Sequence, residues 1–126
     1  MTTAPPTRVV VADDSGLMRR VLSHALSEAG FDVVGQARDG DEALDLCRRL
    51  RPDAMTLDLA MPGMSGIELA AEIRGRLPGL PVLILTGHAE AMQIPEDLPV
   101  LSKPFRSADL AARVATLLDG STGQAG

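Results

Sequence analysis

Apolar and polar positions along this chain switch repeatedly between two periods. Residues 7–12 (TRVVVA) form a near-continuous apolar run, as a strand buried on both faces does. Asp13 and Asp14 end that run. Ser15 follows as an N-cap for a helix whose apolar positions Leu17, Val21, Leu22, Ala25, Leu26 and Ala29 recur at helical spacing, and Gly30 stops it. Residues 32–37 read as a second strand and Asp39-Gly40 as a turn. Ala43, Leu46, Cys47 and Leu50 then give a second helix a narrow apolar stripe, with Pro52 just past its end. A third strand at residues 54–57 stops at Asp58. After a loop with Pro62, Gly63 and Gly66, Ile67, Ala70, Ile73 and Leu77 mark a third helix, which Pro78, Gly79 and Pro81 close. Residues 82–85 predict a fourth strand, Val100 and Leu101 a short fifth, and Leu110, Val114, Leu117 and Leu118 a last helix. Strands alternating with helices at this spacing imply right-handed parallel βαβ units. The expected class is α/β, a single doubly wound five-stranded parallel sheet with helices on both faces.

Composition narrows the class further. At 126 residues and 45% apolar, the chain has enough core for one domain, placed at residues 7–119, without a disulfide or structural metal. Residues 1–6 read as a flexible polar leader and residues 120–126 as a disordered tail or linker stub. The leader has no apolar signal core and no run approaches a membrane span, so a cytoplasmic location and no membrane partner are expected. Cys47 is the only cysteine, which excludes a disulfide framework and a cysteine metal cluster. The net charge of −5 disfavours a nonspecific nucleic-acid binder, and no direct nucleic-acid binding is expected.

Candidate chemistry emerges when the strand ends are taken together. Strand one ends at Asp13 and Asp14, strand three at Asp58, strand four at Thr86, and strand five at Lys103 after Ser102. In a parallel sheet all of these lie on the edge where α/β folds bind ligands. Each alone is ordinary: paired acids are usually solvated, a threonine after a strand usually caps, a lone lysine is usually surface. Their coincidence at four strand ends is not. Clustered carboxylates repel unless a cation sits between them, and an all-oxygen set points to Mg²⁺, with Mn²⁺ the alternative. Such a site suits phosphoryl transfer, with Asp58 as nucleophile and with Lys103 and the Thr86 hydroxyl holding the other phosphoryl oxygens.

The motifs VVVADDS, LDLAMPGMSG, LILTG and LSKPF, in this order from Arg8 to about Leu118, resemble the receiver domain of bacterial two-component response regulators. The resemblance implies a flavodoxin-like sheet of order 2-1-3-4-5. It implies Asp58 as phosphoacceptor and Mg²⁺ held by Asp13, Asp14, Asp58 and the backbone carbonyl of Ala60, with Asp13 acting mainly through a bound water. It also implies Thr86 and Lys103 as phosphate-sensing residues, a cis peptide before Pro104, and a sensor histidine kinase or histidine phosphotransfer protein as phosphodonor. The output would be a downstream protein target, with a homodimer among the forms left open.

Three departures from the family pattern stand out. The position three before the lysine, usually Tyr or Phe, is Val100, so an aromatic switch there is ruled out. Residues 87–99 (GHAEAMQIPEDLP) are shorter than usual and contain Pro95 and Pro99, so the helix the family counts fourth should be short or absent. Ala60 and His88 occupy the two positions that the resemblance associates with tuning hydrolysis of the acyl phosphate. Leu17, Met18, Arg19 and Arg20, on the helix after the acidic pair, form a mixed apolar and cationic edge suited to docking a kinase. His24 reads as a surface imidazole and Cys47 as a core thiol. Two alternatives remain: a degenerate receiver used as a non-phosphorylated scaffold, and a Mg-dependent aspartyl phosphatase. The latter generally needs a second acid where this chain has Ala60.

Overall fold

The computed structural model describes residues 5–59, 61, 66–87 and 98–123. Its strands are β1 (Arg8–Ala12), β2 (Asp32–Ala37), β3 (Ala54–Asp58), β4 (Val82–Thr86) and β5 (Val100–Ser102). The helices among the described residues are α1 (Gly16–Glu28), α2 (Gly40–Leu50), α3 (Gly66–Arg76) and α4 (Ser107–Gly123). All strand pairs are parallel and the order is β2-β1-β3-β4-β5, the order implied by the resemblance. The expected short or missing helix falls on residues 88–97, outside the described residues. The last helix runs to Gly123, past the end of the apolar pattern that announced it.

The central strands are apolar on both faces because both faces are covered. Val10, Ala12, Met55, Leu57, Val82 and Ile84 point toward α2 and α3, where they meet Ala43, Cys47, Leu69, Ala70 and Ile73. Val9, Val11, Ala54, Leu83 and Leu85 point the other way, onto Leu22, Ala25 and Leu26 of α1 and Leu110, Val114 and Leu117 of α4. Successive strand residues alternate between these two cores, as the pleat requires. Burial pushes the Cys47 thiol up to about 11, so it behaves as a small core hydrophobe.

Local signals fix the entry to two helices. Ser15 accepts a hydrogen bond from the Met18 amide, and Asp39 accepts one from the Glu42 amide, so each supplies the N-cap its residue type favours. Gly35 of β2 has a different role. A Cβ there would lie 3.2 Å from Leu50 Cδ1 and 3.3 Å from Leu46 Cδ1, so the missing side chain lets α2 press close to the edge strand.

The apolar stripe of α1 is narrower than its sequence suggests. Leu22, Ala25 and Leu26 are buried, whereas Leu17 is 71% exposed and Val21 is 51% exposed. At about 100° per residue, Leu17 and Val21 fall well to one side of the Leu22–Leu26 face. They form a separate i, i+4 pair directed away from the sheet.

Candidate functional site

The site is assembled at the carboxyl edge of the sheet. Asp13 extends β1 by one residue, because its amide donates to the Ala37 carbonyl at 2.9 Å. The side chain is buried. Its Oδ1 accepts from the Ser15 amide at 2.9 Å, while Oδ2 is buried without a hydrogen-bond partner among the described residues. Burial is the main reason the Asp13 carboxyl titrates above its ordinary range; the charges of Asp58 and Asp14 push the same way, and the Ser15 amide and Lys103 oppose them.

Asp58 closes β3 opposite Leu85 and is almost fully buried. Lys103 Nζ lies 3.1 Å from its Oδ1, and the backbone places that ammonium: the Lys103 amide donates to the Thr86 carbonyl at 2.8 Å. The Lys103–Pro104 peptide is cis. Thr86, also buried, donates its hydroxyl to the Gly87 carbonyl at 3.0 Å. Asp13, Asp14 and Asp58 each present a carboxylate oxygen, and these oxygens lie within 4.8 Å of one another.

Among the described residues, three carboxylates facing one ammonium leave an excess of negative charge at this edge. The orphaned Asp13 Oδ2 and an all-oxygen donor set spanning 4.8 Å fit a hard divalent ion such as Mg²⁺, which keeps several waters and leaves room for a phosphoryl oxygen.

The remaining candidates divide. Ala60 and His88 lie outside the described residues. Val100 is half-buried in β5, beside Ile84 and against the core shared with α2 and α3. His24 is exposed on α1. On the same helix Leu17 and Arg20 are exposed, and Met18 packs partly into the core. Arg19 folds back, its Nη1 donating to the Asp13 carbonyl at 2.7 Å. Val21, one of the apolar helical positions of α1 and absent from the docking candidates, is exposed beside Leu17. Its i, i+4 spacing from Leu17 was the signal that the two share an exposed edge.

Comparison with known proteins agrees with the fold. The sequence pattern of the response regulator receiver domain matches residues 9–115, and the chain belongs to that family. Response regulator MprA of Mycolicibacterium vanbaalenii is 38% identical over 122 residues, covering 93% of this chain and 52% of that protein. A protein-glutamate methylesterase/protein-glutamine glutaminase of Haloarcula marismortui is 49% identical over 87 residues, covering 69% of this chain but 23% of that protein. The chain thus spans about half or less of the length of these curated relatives. Among solved structures, the signal receiver domain of NarL from Mycobacterium tuberculosis superposes with a TM-score of 0.82 at 33% identity, covering 93% of this chain and 99% of that one. The REC domain of AraT, a response regulator from Geobacillus stearothermophilus, gives 0.77 at 30% identity over 95% and 98%. The chain is therefore a receiver domain of two-component signalling, a class that binds Mg²⁺ at an acidic pocket and works with histidine kinases and downstream effectors. No helix among the described residues is long and apolar enough to cross a membrane.

Proposed function

We propose that this chain is a phosphorylation-controlled switch in which Asp58 takes a phosphoryl group from a sensor histidine kinase or histidine phosphotransfer protein. The observation that carries this reading is the convergence on Asp58: Lys103 Nζ at 3.1 Å, with oxygens of Asp13 and Asp14 within 4.8 Å. A carboxylate oxygen of Asp58 attacks phosphorus, the P–N bond to the donor imidazole breaks, and the imidazole leaves with the bonding pair. In this scheme Asp13, mainly through a bound water, Asp14, Asp58 and the Ala60 carbonyl would hold Mg²⁺, which would supply positive charge against which a phosphoryl oxygen can approach three carboxylates.

Lys103 shifts part of its interaction from Asp58 to the transferred group, and the Thr86 hydroxyl turns from the Gly87 carbonyl toward a phosphoryl oxygen. Those two movements carry the change from the buried site to the surface and alter partner binding, with no aromatic ring at Val100 to report it. The chain catalyses only its own phosphorylation and dephosphorylation, in the cytoplasm, and the exposed Leu17, Val21 and Arg20 on α1 receive the phosphodonor.

Intact-mass spectrometry after incubation with acetyl phosphate, with and without Mg²⁺, tests the core of this reading. Wild type should gain one phosphoryl group only when Mg²⁺ is present, and Asp58→Asn should gain none. Absence of any adduct, with a cognate kinase as well, would favour the scaffold reading.

A further inference from the structure

Arg19 stands at the wrong end of its helix. It lies in the first turns of α1, where the backbone dipole favours acids over cations, and the first turn carries no acid. A residue that breaks a local rule is often held there by a tertiary role. Here the guanidinium reaches back along the helix to the Asp13 carbonyl, with Nη1 at 2.7 Å, and lies over Gly16. The Asp13 residue is thereby fixed three times. Its amide is held by the Ala37 carbonyl, its carbonyl by Arg19, and its Oδ1 by the Ser15 amide. What remains is Oδ2, buried, without a hydrogen-bond partner among the described residues and beside the carboxylates of Asp14 and Asp58.

Building on the Mg²⁺ site proposed above, we infer that Arg19 is a positioning residue for that site: by gripping the Asp13 carbonyl it sets the peptide plane between Asp13 and Asp14 and so aims both carboxylates at one cation. The carbonyl of Asp13 and the amide of Asp14 belong to the same rigid peptide unit, so a bond to one orients the other. Asp14 is exposed, and this peptide plane supports its backbone. This role separates Arg19 from the neighbouring Arg20, whose exposed side chain remains suited to meeting a partner.

A guanidinium acting only as a nearby charge would repel Mg²⁺, and its removal would tighten binding. A guanidinium that positions the ligands does the reverse, since partners behind metal ligands typically contribute about 10–100-fold in affinity. Isothermal titration with MgCl₂ at fixed ionic strength should be run on wild type, Arg19→Ala, Arg19→Lys and Asp13→Asn, with circular dichroism confirming the fold. The expected result is about tenfold or greater weakening for Arg19→Ala. Arg19→Lys, which keeps the charge but not the planar fork, should fall between it and wild type. Unchanged or tighter binding by Arg19→Ala, with wild type binding and Asp13→Asn not, would overturn the positioning role and leave the Mg²⁺ site intact. Should Arg19→Ala fail to fold, Arg19→Lys decides: wild-type affinity overturns the role, and weaker binding supports it. No binding by wild type would instead overturn the site itself. A second readout is acetyl phosphate uptake at saturating Mg²⁺. It should recover in Arg19→Ala if the defect lies in holding the ion, whereas a docking residue would leave this small-donor reaction unaffected at every Mg²⁺ concentration.

Discussion

Replacing Asp13 with asparagine should make the metal-free protein more stable while abolishing its affinity for Mg²⁺. In the wild type a buried carboxylate faces two others whose oxygens lie within 4.8 Å. One such pair at that distance repels by about 3.5 kcal/mol at an effective dielectric of about 20. Asp14 is exposed and largely screened, and Lys103, bonded to Asp58, offsets much of the remaining repulsion. Asparagine keeps a carbonyl oxygen for the Ser15 amide and replaces the orphaned Oδ2 with a donor facing carboxylates. A net gain of about 1–2 kcal/mol at pH 8 is what remains after these offsets.

The pH dependence has a definite sign. Because the folded Asp13 carboxyl titrates above its ordinary 3.8, the folded chain binds more protons than the unfolded chain between 3.8 and that raised value. The wild type therefore loses stability from this group as pH rises through that window. The asparagine variant has no such loss, so its advantage should be largest at pH 8 and smaller at pH 4, just above the ordinary 3.8. Urea unfolding in EDTA at both values measures it. Added Mg²⁺ should reverse the order, since wild type gains about 2.7 kcal/mol at a ligand concentration of 100 times Kd while the variant gains little. An asparagine variant less stable than wild type at pH 8 in EDTA, or an advantage that grows on acidification, would refute the reasoning.

Other substitutions probe separate parts of the molecule. Lys103→Ala leaves the nearly buried Asp58 without its ammonium and should cost about 1–2 kcal/mol, discounted because Lys103 is partly exposed. A double-mutant cycle with Asp58→Asn should return a coupling of about 1 kcal/mol, and zero coupling would disprove the ion pair. Replacing both Leu17 and Val21 with Ser should leave acetyl phosphate labelling intact and slow transfer from a cognate phosphohistidine donor at least several-fold; equal rates with that donor would remove this edge from the docking surface. Gly35→Ala should lower urea stability by about 1–3 kcal/mol, because the methyl would crowd Leu46 and Leu50 across the α2–sheet contact. A neutral result there would mean that α2 can shift outward at no cost.

Periodicity and local spacing were enough to place the elements and the chemistry available at their ends. Strand and helix periods are local, and so is the Ser15 cap, legible because its side chain bonds an amide three residues ahead; Asp39 was legible only as part of a turn, and the structure makes it the N-cap of α2. The acids, Thr86 and Lys103 were legible as one group once every strand was taken to be parallel, since their carboxyl ends must then share an edge. The order of the strands came from family resemblance, because nothing local says which strand pairs with which. The tertiary structure alone decided the rest. It brought Lys103 to Asp58 across 45 residues, left Leu17 and Val21 exposed to one side of the buried Leu22–Leu26 face, and folded Arg19 onto the Asp13 carbonyl. It also brought Leu46 and Leu50 down on Gly35. Each of these depends on where a neighbouring element lies and on which way a side chain turns at close range. A periodic pattern fixes which face of an element is apolar; packing fixes what that face meets, and this chain's site is made by the second.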